Sequence, residues 1–110
     1  MESRAAVPLR ILLVDDHPIV RRGLRDILAD SFSGSMIHEV GSGREALEHI
    51  RSHPWDVMIL DLSLPDGSGL DVLKHVRQLQ PRMPVLILSM HTADQFARRA
   101  VAAGAAGYLT

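Results

Sequence analysis

The sequence predicts a doubly wound α/β domain built on a parallel, five-stranded sheet. Short apolar runs alternate with segments of helical periodicity four times over, before a last run opens at Tyr108. The connections are short, and short right-handed crossovers give a parallel sheet covered on both faces. Aromatic residues make up only 4% of a chain that is 46% apolar. The core must therefore come from Val, Ile, Leu, Met and Ala, which suits α/β layers better than a sandwich.

Residues 1–8 read as a short flexible lead-in, with no signal-peptide core, and 9–110 as one domain. Residues 9–14 (LRILLV) are an apolar run ending in two acids, a buried strand. Pro18 then stands where the first turn of a helix tolerates the missing N–H. Val20, Leu24, Ile27 and Leu28 recur at helical spacing, with Arg21, Arg22 and Arg25 expected outside. Residues 36–40 form a weaker strand between glycines, and 44–51 a short helix with Ala46, Leu47 and Ile50 inward. Residues 56–60 (DVMIL) are continuous and apolar, as a strand covered on both faces requires. A helix over 70–79 closes at Gln80-Pro81, and 85–88 (VLIL) is another buried strand. Ala93, Phe96, Ala97, Ala100, Val101 and Gly104 trace one face of a fourth helix, and Tyr108 begins the fifth strand. Five strands in this alternation suit the flavodoxin-like order 2-1-3-4-5, whose crevice lies beyond the carboxyl ends of strands 1 and 3.

Twelve basic and thirteen acidic residues give a formal charge of −1. Such a balance carries no electrostatic footprint for nucleic acid. With no cysteine, disulfides and thiolate metal sites are excluded and a reducing cytoplasm is the simplest compartment. No apolar run approaches the ~20 residues that cross a bilayer. The six histidines show no metal-ligand spacing as a set and read mostly as surface residues. Trp55 precedes Asp61 by about 20 Å of strand, so it should report poorly on events there.

The crevice is where residue types become specific. Strand 1 ends in Asp15-Asp16 and strand 3 in Asp61. On neighbouring strands ~4.8 Å apart, three carboxylates converge and repel one another until a cation joins them. An all-oxygen set suits a hard ion, Mg²⁺ above all. Asp16 also fits the start of a helix, and Asp15 a solvated strand end. Asp61, after four apolar residues, needs partners at the edge of the core. Ser89 ends strand 4 on the same edge, where its hydroxyl could bond an anion on Asp61 or simply turn the chain. Pro65 and the glycines of 62–69 describe a tight turn that holds the Ser63 carbonyl near the acids; a plain strand-to-helix loop reads the same.

The acidic pair in VDDHP, the loop Asp61…Pro65…Gly69, Ser89 and the run AGAAGYL, in that order, resemble the response-regulator receiver family over 9–110. The runs VDDHPIVRRGL and DLSLPDGSGLDVL are most similar to its NarL/FixJ-type branch. The resemblance implies a CheY-like fold, a signalling role rather than an enzyme's, and phosphoryl transfer from a sensor histidine kinase to Asp61. It implies that Asp16, Asp61 and the Ser63 carbonyl bind Mg²⁺ directly, with Asp15 helping through water. Ser89 becomes the switch hydroxyl and Tyr108 the switch aromatic. It also implies a LuxR-type helix-turn-helix domain that alone meets DNA, no membrane association, and allows a homodimer. The exposed side of the fourth helix (Asp94, Gln95, Arg98, Arg99) is either a partner surface or a solvated face.

Two departures stand out. The family's essential lysine would follow Thr110, and the last helix would come after it. Phosphorylation of these 110 residues alone should be severely impaired, and the first helix should lose cover. Ser63 and His91, each two residues past an active side chain, offer no carboxylate or amide to position water, so a long-lived phosphoryl group is expected. A haloacid-dehalogenase-type phosphatase would need an acid where Ser63 stands. A flavin or nucleotide domain would need a glycine-rich loop where Asp15-Asp16 stand. The acidic triad argues against a pseudo-receiver.

Overall fold

The computed structural model describes residues 8–61, 69–88, 104 and 107–109. Its elements run β1 (Arg10–Val14), α1 (Pro18–Ser31), β2 (Met36–Val40), α2 (Gly43–Ser52), β3 (Val57–Asp61), α3 (Gly69–Leu79), β4 (Val85–Leu88) and β5 (Gly107–Leu109). The sheet order is β2-β1-β3-β4-β5 with every pair parallel, as the alternation predicts. The expected fourth helix lies outside the described residues, save Gly104.

Burial explains why these runs form these strands. Four of five residues in β1 and in β3 are buried, the continuous pattern of central strands. At the edge, β2 alternates and buries only Val40. Because the chain moves one way from β1 to β2 and the other way afterwards, right-handed crossovers put α1 on one face and α2 and α3 on the other. The α2/α3 face is the thicker core. There Ala46, Ile50, Val72, Leu73 and Val76 pack on Leu12, Val14, Met58 and Leu60. Each fully buried aliphatic side chain contributes about 1.5–3 kcal/mol, and these anchors fix the ends of β1 and β3.

On the other face Leu24 and Leu28 of α1 pack against Ile11, Leu13 and Ile59. Val20 and Ile27 depart from the apolar stripe expected for this helix, at 51% and 62% exposed. The stripe is wider than the strip of sheet that α1 covers, so its flanks face outward.

Local chemistry fixes several boundaries. Ser42 caps α2 by accepting from the Glu45 backbone N–H at 3.2 Å, and its hydroxyl meets the Glu45 carboxylate. Arg77 donates to the Pro81 carbonyl at 2.7 Å and to the Met83 carbonyl, tying α3 to the start of β4. Gly104 has φ of 107°, and a Cβ there would strike the Arg77 side chain. Among the described residues, no helix is long and apolar enough to cross a membrane.

Candidate functional site

The strand register decides what meets at the carboxyl edge. Val14 lies opposite Leu60, so Asp15 and Asp61 leave the sheet side by side. Both are buried, at 3% and 7% exposure, and they are the buried charged residues among those described. Asp16 is turned further out, its side chain 27% exposed. Ligand atoms of Asp15, Asp16, Asp61 and His17 all lie within 4.8 Å of one another. The three acids predicted to converge do so, and a fourth side chain joins them.

That fourth member is His17, exposed as a surface histidine would be but with its ring against the acids, a contact that the histidine spacing did not indicate. It occupies the N-cap of α1 with extended backbone, yet its side chain makes no capping bond. The ring points instead into the acids. Nδ1 lies 3.0 Å from Asp15 Oδ1, 3.0 Å from Asp16 Oδ1 and 3.4 Å from Asp61 Oδ2. The hydrogen bond to Asp15, then the charge of Asp16, hold the imidazole above its ordinary 6.5. The signal was the VDDHP run itself, since a histidine directly before a helix-starting proline must leave the helix axis.

Asp15 is fixed from three sides. Its backbone N–H donates to the Val40 carbonyl at 3.1 Å, and its Oδ1 accepts from the His17 backbone N–H at 2.8 Å. Its carbonyl accepts from Arg21 at 2.7 Å. The same arginine bonds Glu39 at 3.1 Å, and Arg25 reaches the other oxygen of that carboxylate at 3.2 Å. Arg21 was expected on the outer side of the helix. It is largely covered instead, because one turn past the N-cap it faces the end of β2 and finds Glu39 there. Sequence periodicity gave no sign of this tie between α1 and the acid.

The donor set fits a hard divalent cation. Asp16 Oδ1 is buried yet has no hydrogen-bond partner, because His17 Nδ1 approaches at charge-contact distance without hydrogen-bond geometry. A buried carboxylate oxygen in that state is costly unless an ion takes it. Ser63 and Ser89, the other residues expected here, lie outside the described residues, as does His91. Tyr108 stands in β5, its backbone opposite Ile87 of β4.

A second side-chain cluster sits at the opposite end of the sheet. Arg10, His38, His49, His53 and Trp55, with Met36 and Ile37, line a cavity of about 200 Å³. The His38 and His49 ring centroids are 4.2 Å apart, and Trp55 donates to the His49 carbonyl at 2.9 Å. Desolvation first, then the charges of His49 and His53, push His38 below 6.5.

Comparison with known proteins agrees with the geometry. Residues 11–110 match the response regulator receiver domain. The chain is 42% identical over 100 residues to the transcriptional activator protein ExaE of Pseudomonas putida, covering 91% of this chain and 47% of that protein. It thus spans about half the length of the curated relatives it matches. A two-component response regulator of the LuxR family from Aurantimonas sp. SI85-9A1 superposes with a TM-score of 0.84 at 38% identity, covering 93% of this chain and 73% of that one. A response regulator protein from Burkholderia pseudomallei, solved with a phosphorylated aspartic acid, calcium ion and citrate, superposes at 0.84 with 27% identity over 92% and 58% of the two chains.

Proposed function

This chain belongs to the response regulator receiver family, and we propose that Asp61 is the side chain that takes its phosphoryl group. The observation that carries this reading is the convergence of three carboxylates at the carboxyl ends of β1 and β3, two of them buried and one of these, Asp61, the last residue of β3. A buried carboxylate at a strand end is a nucleophile held in place by packing rather than by solvent.

Asp61 attacks the phosphorus of a phosphohistidine on a sensor histidine kinase. The N–P bond breaks as the O–P bond forms, giving an acyl phosphate on Asp61 and a free imidazole on the donor. Asp16 and Asp61, with the Ser63 carbonyl, would hold Mg²⁺, and Asp15 would support it through water. The ion, when bound, neutralises charge on the transferring group. Asp15, pinned by Arg21 and by the His17 backbone N–H, keeps the acid cluster in register. Ser89 would supply the switch hydroxyl and Tyr108 the switch aromatic, so that phosphorylation biases a two-state surface. The relatives' names support an output in transcription through a DNA-binding domain outside these residues. The Burkholderia protein's phosphorylated aspartic acid and calcium ion support both the nucleophile and a hard cation beside it.

The test is mass spectrometry of the full-length protein after incubation with Mg²⁺ and acetyl phosphate. The expected result is a gain of one phosphoryl group that Asp61→Asn abolishes and a chelator prevents. Equal labelling of Asp61→Asn would overturn the assignment.

A further inference from the structure

We propose that His17 is a ligand of the cation in the acidic pocket, through Nδ1, and that it shifts the pocket's preference from Mg²⁺ toward first-row transition ions, of which Mn²⁺ is the mildest case. The inference rests on the cation-binding reading above and extends it to a residue and an ion outside the carboxylate set.

Geometry is the first ground. In an octahedral site with bonds of about 2.1 Å, neighbouring ligand atoms stand about 3.0 Å apart. His17 Nδ1 already lies 3.0, 3.0 and 3.4 Å from oxygens of Asp15, Asp16 and Asp61. It therefore occupies a corner of the polyhedron those oxygens would share, with no need for the ring to swing in. The ring is half exposed, so it is the contact of Nδ1 with Asp15, and not burial, that holds it at this corner.

The second ground is how the ring is held. The His17 backbone N–H donates to Asp15, and its carbonyl accepts from the Arg21 backbone N–H at 2.9 Å. Pro18 fixes the next turn. Freed from capping α1 and anchored on both sides, the imidazole is aimed by the helix start itself. Asp16 Oδ1, buried and lacking a hydrogen-bond partner, faces the same nitrogen at 3.0 Å and has a lone pair left for an ion that both atoms could share.

Chemistry supplies the ion preference. Mg²⁺ favours oxygen donors and gains little from imidazole, whereas first-row transition ions take nitrogen and carboxylate together. Binding the ion releases to solvent the proton that Nδ1 now donates to Asp15, and leaves a neutral ring with its hydrogen on Nε2 and the Nδ1 lone pair on the ion. One nitrogen among carboxylates should therefore raise affinity for Mn²⁺ more than for Mg²⁺.

The experiment uses full-length protein, as wild type, His17→Ala, His17→Gln and Asp16→Asn. Mn²⁺ and Mg²⁺ are titrated separately by calorimetry, and bound Mn²⁺ is examined by electron spin echo for coupling to a nitrogen nucleus. Circular dichroism checks that each variant is folded. Wild type should show the nitrogen coupling. His17→Ala should abolish it and lower the ratio of Mn²⁺ to Mg²⁺ affinity by about tenfold, the lower end of what a site loses with a supporting group. His17→Gln, which offers oxygen, should keep Mg²⁺ binding without the nitrogen signal. Mn²⁺ bound by wild type without nitrogen coupling, or an unchanged ratio in His17→Ala, would overturn the proposal while leaving the carboxylate site standing. A rise in affinity for both ions in His17→Ala would overturn it too, marking the ring as a competitor. If neither ion binds wild type, or if Asp16→Asn binds both as wild type does, the cation-site reading itself falls and takes this one with it.

Discussion

The two ends of the sheet gather charge of opposite kind around the same side-chain type. At the carboxyl end three carboxylates surround His17 and raise its proton affinity. At the amino end burial first, then the charges of two neighbouring imidazoles, lower the proton affinity of His38. Glu39 and Glu45 oppose that fall without cancelling it. Surroundings, not residue identity, set the direction in each case. The difference matters because the two ends relieve their surplus differently. Imidazoles can shed protons near neutral pH, so the amino end needs nothing further. Clustered carboxylates are relieved by a cation instead, which is the role proposed for Mg²⁺ at the acidic end.

The sharpest way to break this contrast is to remove one acid. Asp16→Asn should lower divalent-ion affinity at least about tenfold, since even supporting groups act on that scale. Calorimetry with Mg²⁺ would decide it, and wild-type affinity in the variant would mean the acidic end is not a cation site. Next in size is the tie that holds that end together. Arg21→Ala removes bonds to the Asp15 carbonyl and the Glu39 carboxylate, and should cost about 1–3 kcal/mol of stability. Urea unfolding measures it, and a change below a few tenths would show that Arg21 only decorates the helix.

Smaller effects follow from pH, in buffer containing a chelator. His38 is held below 6.5, so the unfolded chain binds its proton first. Its destabilising effect is absent above about pH 6.5 and grows as pH falls from there toward the folded value. His17 is held above 6.5, so its stabilising effect is full below that value and fades as pH rises through the folded value. His38→Gln should therefore flatten the loss of thermal stability between about pH 7 and 6, and His17→Ala should steepen it. Parallel curves for both variants and wild type would erase the difference between the ends.

The sequence predicted these two ends unequally. The apolar runs that became β1, β3 and β4 were legible because strands buried on both faces admit little else, and the bounds agree within a residue. Asp15, Asp16 and Asp61 were legible as a group only through topology, since the order β2-β1-β3 places two distant strand ends side by side. The direction of the His17 ring depends on a cap geometry that periodicity does not encode. Arg21 depends on where α1 meets β2, and the imidazole cluster on how α2 packs beside β2. His49 and His53 were four residues apart in plain view, the spacing of helix neighbours. His38 joins them only because the edge strand runs past the end of that helix.

The least perturbing test reads both ends with one native probe. Trp55 lies at the amino end, its ring centroid 6.1–6.5 Å from those of His38, His49 and His53. It stands at the other end of β3 from Asp61, beyond the strand's first residue. Protonated imidazole quenches a neighbouring indole, whereas an ion bound among the acids touches neither ring nor indole. Trp55 emission should therefore fall as pH drops from about 7.5 to about 5.5, across the ordinary imidazole range, and His38→Gln should reduce that fall. Saturating Mg²⁺ at constant pH should leave it unchanged. A comparable response to Mg²⁺ would mean that the buried spine of β3 couples the two ends, and that the acidic pocket and the imidazole cluster act as one unit.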